Sequence, residues 1–250
     1  MNDLVSVIIT TYNSSKTIKN AIVSVVNQSY KNIEILVYDD CSSDNTRKIV
    51  EDCFENLDVN CVIKNAEDNF GGPARGRNWG CSISKGKYIC FLDADDYWKE
   101  TKIEHQLKLM GNKGVDVSST NSTVIGGEQF KTVSGNVSIY NLLKRNKLIL
   151  SSVMIRKEVL NSLNYIFNED EKFISVEDYD LFLRLAILKF KIFVLPDKMI
   201  YYKILQNSLS HKDFKENENK RLFVLKKLKV TNVLQYIWKW IVILAYKFKF

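Results

Sequence analysis

The chain has 250 residues, 46% of them hydrophobic and 26% charged, and these proportions exclude a disordered or fibrous protein. Its net charge is +7, but eight of the 36 basic residues and none of the 29 acidic residues lie at positions 219–250, which leaves positions 1–218 at −1. A nucleic-acid-binding protein would spread its basic residues over a folded face. A basic C-terminal segment beside a neutral body instead predicts a membrane surface, and no nucleic acid, as partner.

The cysteine and hydropathy patterns bear on where the protein works. The five cysteines are odd in number and form no C-x-x-C pair, so neither a disulfide framework nor a zinc site is predicted, and reduced thiols favour the cytoplasm. No uncharged apolar stretch reaches the roughly 18 residues of a transmembrane helix. The N-terminal residues include Asp3 and no basic region, so we expect no secretory signal.

The N-terminal half alternates short apolar runs with amphipathic segments. Four runs rich in β-branched and aromatic residues are predicted as strands buried on both faces: residues 4–10, 33–38, 59–64 and 87–92. Helices are predicted between them at residues 15–28, 44–56 and 73–85. This alternation predicts a mostly parallel βαβ sheet with helices on its faces.

The second half has a less regular pattern. Helices are predicted for residues 99–110, 139–144, 176–189, 214–229 and 233–249. Strands are predicted within residues 115–133 and at residues 153–156, 192–195 and 199–204. We therefore expect an α/β domain over residues 1–212, followed by C-terminal helices over residues 213–250.

Acidic residues follow two of the predicted strands. Asp39 and Asp40 end one strand, and Asp93, Asp95 and Asp96 follow another. Ligands of open parallel sheets bind beyond the carboxyl ends of the strands, and oxygen ligands in a D-x-D turn suit Mg²⁺ or Mn²⁺. The pattern predicts a cation that bridges to a diphosphate, with a solvated acidic turn as the alternative.

Five segments together resemble the family 2 glycosyltransferases, which are inverting enzymes of the GT-A fold. They are SVIITTYN at 6–13, ILVYDDCSSDNT at 35–46, ARGRNWG at 74–80, GKYICFLDADD at 86–96 and VEDYDLFLRL at 176–185. Their order and spacing match the family, and the resemblance covers roughly residues 4–205. It implies a Rossmann-like GT-A sheet and a nucleotide-sugar donor, with a UDP-sugar favoured.

The resemblance also implies where the nucleotide binds. Thr10 and Tyr12 would line the nucleobase pocket, with Tyr12 stacked on the base; the alternative is a strand end and a core aromatic. Asp40 would accept a hydrogen bond from the uracil N3–H and Asp39 would support the loop, unless both only cap the next helix. Arg77 would approach the nucleotide or its phosphates, with a helix-surface arginine as the alternative.

The resemblance further implies the catalytic groups. Asp93 and Asp95 form the D-x-D, with Asp95 as the direct ligand of Mn²⁺ or Mg²⁺, and Asp96 would contact the sugar or cap the next helix. Asp178, at the positive end of a predicted helix, would be the catalytic base, with a simple N-terminal cap as the alternative. Asp180 and Arg184 have the i, i+4 spacing of an ion pair.

Two departures from the family pattern affect the site. Cys41 stands where the family usually has glycine, so the backbone of that turn is expected to differ. After Tyr201 and Tyr202 the family often has an arginine or histidine, whereas here Lys203 and the segment 206–211 follow. His211, in that segment, either reaches the diphosphate or metal or is an exposed loop residue.

The last segment, residues 233–246, has one charge in fourteen residues and lysines on both sides. At 1.5 Å per residue it would measure about 21 Å, too short for a hydrocarbon core of roughly 30 Å. An interfacial helix is predicted, which would make the protein peripheral on the cytoplasmic face of the plasma membrane. Packing on the body or on a second copy in a homodimer is the alternative.

The predicted function is metal-dependent, inverting transfer of a sugar from a nucleotide-sugar donor to a saccharide acceptor. By family analogy the acceptor is polyprenyl-diphosphate-linked and belongs to bacterial surface-polysaccharide synthesis. A nucleotidyltransferase would need a glycine-rich phosphate loop after the first strand, where TTYNSSKT has no glycine. A non-catalytic nucleotide-sugar-binding or scaffold protein is the remaining alternative.

Overall fold

The computed structural model describes residues 2–55, 59–146, 148–204, 214–230 and 232–247. The strands are β1 (Val5–Thr11), β2 (Ile33–Asp39), β3 (Asn60–Asn65), β4 (Tyr88–Asp93), β5 (Tyr97–Trp98), β6 (Val117–Ile125), β7 (Gly135–Val137), β8 (Met154–Arg156) and β9 (Ile192–Lys203). The helices are α1 (Ile18–Val26), α2 (Thr46–Glu55), α3 (Ala74–Ile83), α4 (Lys102–Lys113), α5 (Ile139–Lys144), α6 (Lys157–Asn161), α7 (Glu177–Ile187), α8 (Phe214–Lys227) and α9 (Val233–Lys247).

The strands in these ranges form one sheet in the order β3-β2-β1-β4-β8-β6-β9-β5, and β7 pairs antiparallel with residues 192–194 of β9. The pairs among β1, β2, β3 and β4 are parallel, as the alternating pattern predicts. Beyond β4 the sheet is mixed, since β8 is antiparallel to both β4 and β6 while β6 and β9 run parallel. The α/β fold class is confirmed.

The sheet is covered on both faces. One apolar cluster includes residues of α1 and α4 together with inward residues of β1 and β2. The other includes residues of α5, α7, α8 and α9 on the opposite face. Sheet residues of β1 alternate between the clusters, Ile8 facing one and Ile9 the other, so the strand is buried on both sides.

Two strands differ from expectation. β3 lies at the edge of the sheet and its residues alternate between exposed and half-buried, with Val62 45% exposed, so it is not buried on both faces. The two strands predicted at 192–195 and 199–204 form the single strand β9, which is irregular opposite Asn121. The Asn121 amide donates hydrogen bonds to the carbonyls of Leu195 and Pro196, and so satisfies backbone groups that the ladder leaves open.

The C-terminal helices pack on the sheet domain. Val224 and Leu225 of α8 and Val242 and Ile243 of α9 belong to the same apolar cluster as α5 and α7. The predicted boundary at residue 212 and His211 lie in the range 205–213, outside the described residues. Among the described helices, none combines the length and the hydropathy required to cross a bilayer.

Candidate active site

The candidate site lies where the parallel strands end. β1 has β2 on one side and β4 on the other. The crossover from β1 leads to β2, whereas the later crossover from β3 returns past β1 to β4, and this reversal opens a crevice beyond the carboxyl end of β1. The register pairs Thr10 with Tyr38 on one side and with Asp93 on the other. Both acidic clusters therefore follow strands that end at the same edge.

A cleft of about 1750 Å³ occupies this edge. Its lining includes seven of the residues that the sequence singled out: Thr10, Tyr12, Asp40, Arg77, Asp93, Asp95 and Asp178. Asp39 is buried behind the cleft, where its carboxylate accepts hydrogen bonds from the backbone N–H and the hydroxyl of Ser42. Burial raises the pKa of Asp39 above its usual value.

The loop that carries Tyr12 is tied to the loop after β2. The Asn13 backbone N–H donates to the Ser42 hydroxyl at 2.8 Å, and the Asn13 side-chain oxygen accepts from the Ser43 N–H at 2.8 Å. Tyr12 itself is half exposed on the cleft wall. A planar base can therefore reach the ring of Tyr12 without displacing core residues.

Asp40 holds a third loop against the same wall. Its carboxylate accepts hydrogen bonds from the backbone N–H groups of Phe70 and Gly71 at 3.1 and 3.2 Å. The turn that follows Asp40 keeps the shape that a glycine would give it, because Cys41 adopts a φ of +63°. Cysteine in place of glycine thus raises the conformational free energy of this turn, while its left-handed backbone remains.

Two glycines bring α3 against the sheet at the cleft. A Cβ on Gly76 would lie 2.6 Å from the ring of Tyr38, and one on Gly80 would lie 2.6 Å from Ile8. Neither contact is sterically possible, so only glycine allows this approach of helix and strand. The close packing carries Arg77, the next residue after Gly76, into the protein.

Arg77 is buried rather than on the helix surface. Its Nη2 lies 2.7 Å from Asp93 Oδ1 and its Nη1 lies 2.5 Å from Glu177 Oε1. Burial alone would lower the pKa of Arg77, but the two carboxylates raise it above its usual value. Arg77 therefore joins the end of β4 to the start of α7 as a permanent cation.

The carboxylate of Asp95 suits a divalent cation. Within the described residues it forms no ion pair, and burial together with the charge of Asp93 raises its pKa to about 6. A nearby cation would remove this destabilisation of the charged form. The described residues contain no group of three or more His, Cys, Asp or Glu side chains placed to hold a metal, so a cation at Asp95 would complete its shell with water and phosphate oxygens.

Asp96 turns away from the cleft. It is almost fully buried, and its Oδ1 accepts a hydrogen bond from the Lys203 backbone N–H at 2.9 Å. It does not cap α4, whose N-cap residue is Thr101, so the predicted helix cap is wrong. Asp96 is not among the described residues that line the cleft, and the predicted sugar contact stays a prediction. Asp96 instead fastens the D-x-D turn to the end of β9.

Asp178 lies in the first turn of α7, at the cleft. Its Oδ1 accepts from the Tyr179 N–H at 2.6 Å and its Oδ2 faces the Asn146 amide at 3.4 Å. Burial and the adjacent charge of Glu177 raise the pKa of Asp178 to about 7, although Arg77 opposes the shift. A carboxyl poised near neutral pH can accept a proton from a substrate hydroxyl.

The cleft also contains residues outside the sequence motifs, and three of them are polar or basic groups near α5 and α8. Asn146, after α5, contacts Asp178; Arg145 and Arg221 add positive charge to the lining. Arg221 pairs with Glu218 and lies over the ring of Tyr179. The predicted pair of Asp180 and Arg184 is present, with Nε and Oδ2 2.8 Å apart.

Comparisons with known proteins identify a family and relatives of this chain. The model of the family "Glycosyl transferase family 2" matches residues 6–163. The chain is 34% identical over 220 residues to the UDP-Glc:alpha-D-GlcNAc-diphosphoundecaprenol beta-1,3-glucosyltransferase WfgD of Escherichia coli, covering 85% of this chain and 82% of WfgD.

Two solved structures share the fold. Residues 1–349 of TarS from Staphylococcus aureus, in complex with UDP-GlcNAc, superpose with a TM-score of 0.81 at 23% identity, over 98% of this chain and 73% of that one. The mannosyltransferase PcManGT from Pyrobaculum calidifontis, in complex with GDP-Man and Mn²⁺, superposes with a TM-score of 0.72 at 17% identity, over 97% of this chain and 68% of that one.

Proposed function

The chain belongs to glycosyltransferase family 2, and we propose that it transfers a sugar from a UDP-sugar to a saccharide on a polyprenyl-diphosphate lipid, with inversion at the anomeric carbon. One observation carries the proposal. Tyr12, Asp40, Asp95 and Asp178 line a single cleft. This shared lining supports a site in which one donor would meet a ring for its base, a ligand for its cation and a proton acceptor.

The donor would lie across the carboxyl ends of β1 and β4. Tyr12 would stack on the base and Asp40 would accept from its N–H, while Asp95 would hold a divalent cation, Mn²⁺ or Mg²⁺, at the diphosphate. When bound, such a cation neutralises the negative charge that develops on the leaving nucleoside diphosphate. Asp93 does not need to be a ligand, because its ion pair with Arg77 already fixes it.

Asp178 would act on the acceptor. As the acceptor oxygen forms its bond to the anomeric carbon, Asp178 takes the hydroxyl proton, and the bond between that carbon and the diphosphate oxygen breaks with its electron pair on the leaving group. Attack opposite the leaving group inverts the centre. A pKa of about 7 makes the base stronger than an ordinary aspartate while leaving it half ionised at neutral pH.

The acceptor class is supported by relatives and by charge. WfgD is named for a diphosphoundecaprenol acceptor. Arg145 lies on the lining next to Asn146, is exposed, and forms no ion pair among the described residues, so it is available to a diphosphate. We expect Arg145→Ala to raise the KM for such an acceptor by roughly tenfold and to leave the KM for the UDP-sugar unchanged.

The site of action would be the cytoplasmic face of the plasma membrane. The five cysteines are all free, as is usual in a reducing compartment. Lipid-linked acceptors confine the reaction to a bilayer surface, and the proposal therefore requires a peripheral protein.

The test is transfer from a panel of UDP-sugars to synthetic polyprenyl-diphosphate saccharides with Mn²⁺ present. We expect one donor to give product of inverted configuration. Asp178→Asn should bind UDP normally and lower turnover by at least about 100-fold, whereas the exposed Asp197→Asn should retain activity. Binding of UDP-sugar without release of UDP or formation of product would instead support a non-catalytic nucleotide-sugar-binding protein.

A further inference from the structure

Helix α9 carries apolar residues on its outward side as well as on its buried side. The buried side includes Val242 and Ile243 together with the polar residues Gln235 and Lys239. The large apolar side chains between 39% and 72% exposed on it are Val233, Leu234, Tyr236, Ile237, Trp240, Ile241 and Leu244. At about 3.6 residues per turn they occupy an arc of roughly 160°. A surface helix in water instead has charged and polar residues on its outward side.

The inward side of α9 is held by contacts with α8 and α5. The ammonium group of Lys239 donates hydrogen bonds to the Leu228 and Lys226 carbonyls at 2.7 and 3.2 Å, at the end of α8. The Trp238 ring packs against Tyr140 of α5, with Lys144 at 5.0 Å from its centroid. These contacts fix which face of α9 is presented outward.

The charge near this face identifies the kind of partner. Lys226, Lys227 and Lys229, at the turn that leads into α9, are exposed, and positions 219–250 contain no acidic residue. An apolar face with aromatic residues and a basic border complements an anionic lipid surface, where the rings lie among headgroups and the lysines near phosphates. A water-soluble acidic protein would match the lysines but not the apolar arc.

We propose that the outward face of α9, comprising the seven exposed apolar residues named above, docks on an anionic lipid bilayer with the helix parallel to the surface. The docking deepens the proposed function, since a lipid-linked acceptor would then be presented beside the cleft. Helix α5 connects the two sites: α9 packs on it, and Asn146, just after it, contacts Asp178. Helix α5 therefore lies between α9 and the cleft, which Arg145 lines at the end of α5.

The test is sedimentation of the full chain with vesicles of phosphatidylcholine, with and without phosphatidylglycerol. We expect binding that requires phosphatidylglycerol and weakens with salt. The double variant Ile237→Glu/Ile241→Glu should lower the partition constant by roughly tenfold or more. The control Val23→Glu/Leu188→Glu alters two apolar residues of similar exposure on other elements and should bind as the wild type does.

Other readouts separate this inference from the proposed function and from misfolding. Both double variants should keep the far-UV circular dichroism spectrum of the wild type. Their rate of UDP release in the presence of a water-soluble acceptor analogue should also equal that of the wild type. Unchanged vesicle binding by Ile237→Glu/Ile241→Glu would overturn the docking surface. The docking surface would also be overturned if the wild type did not bind vesicles but formed a dimer, and Ile237→Glu/Ile241→Glu dissociated that dimer. That result would assign the face to contact with a second copy of the chain. Absence of sugar transfer with intact vesicle binding would count against the proposed function alone.

Discussion

Arg77 and Glu177 form a buried ion pair across 100 positions of sequence, with Nη1 and Oε1 2.5 Å apart. The same guanidinium binds Asp93, at the end of the strand that leads to Asp95. The residue after Glu177 is Asp178. Arg77 thus connects the turn proposed to hold a cation to the helix proposed to hold the base, and its geometry fixes the distance between them.

Removal of Arg77 should destabilise the fold strongly. Arg77→Ala would leave Asp93 and Glu177 close together without a cation, and the loss of one partner from a buried pair costs about 3–5 kcal/mol. Arg75→Ala is the matched control on α3, since the pair of Arg75 with Asp68 is much more exposed and should contribute less than about 1 kcal/mol. Urea unfolding measures both free energies. Similar losses in the two variants would contradict the assigned role of Arg77.

Glu177→Gln should shift the pH dependence of transfer. The charge of Glu177 raises the pKa of Asp178 and the charge of Arg77 lowers it, so the variant removes the first effect and keeps the second. Because the base acts in its deprotonated form, the acid limb of kcat/KM, expected near pH 7 in the wild type, should move to lower pH. An acid limb that stays in place or rises would argue against Asp178 as the titrating group.

The same carboxyl links stability to pH. A pKa raised from 3.8 to about 7 by folding means that protonated Asp178 stabilises the fold fully below about pH 4, and that this contribution is lost as the pH rises through about 7. Asp178→Asn, which is neutral at every pH, should therefore gain stability relative to the wild type above pH 7. Thermal melts of both proteins at pH 5 and pH 8 measure the difference.

Removal of the metal should affect nucleotide binding through Asp95. With UDP present, Mn²⁺ at about 100 times its Kd should raise the melting temperature by roughly 5–10 °C, and EDTA should reverse the rise. Asp95→Asn should abolish this Mn²⁺ effect, whereas the exposed Asp68→Asn should keep it. Equal Mn²⁺ stabilisation of the Asp95 variant would place the cation elsewhere.

Gly76 should resist replacement despite its position in a helix. An alanine Cβ would overlap the Tyr38 ring, which should cost about 1–3 kcal/mol even after the gain of up to about 1 kcal/mol in helix propensity. Gly111→Ala, on the exposed side of α4, provides the control and should be neutral or stabilising. A stable Gly76→Ala protein with normal activity would show that α3 can move away from the sheet without harm to the cleft.

The sequence predicted those parts of the molecule that local patterns determine. β1, β2 and β4 are continuous apolar runs that end at charged or polar residues, and this pattern places Thr10 and Asp93 at one edge. The position of β3 at the edge was missed, because a run of apolar residues does not reveal how many neighbours a strand has. Whether Val62 is buried depends on the sheet order and not on the run itself.

The site residues beyond the motifs depend on tertiary contacts. The helix-surface alternative for Arg77 is wrong, because Glu177, 100 positions away in sequence, pairs with it and nothing near Arg77 in sequence indicates that contact. Asn146 follows a short helix without any distinctive pattern, and only the packing of α5 against α7 brings it to Asp178. The assignments to substrate, loop, metal and base remain predictions for all eight residues: Thr10, Tyr12, Asp39, Asp40, Arg77, Asp93, Asp95 and Asp178.

Helix α5 determines the distance between Asp178 and the proposed membrane-docking helix α9. An enzyme that lies on a bilayer through α9 holds Asp178 at a fixed elevation above the headgroups, because α5 separates the two by a constant thickness of protein. A tethered glycan reaches that elevation only with a particular number of sugar units above its lipid. The protein would then select acceptors by the number of sugar units that they carry, before any particular hydroxyl group is recognised.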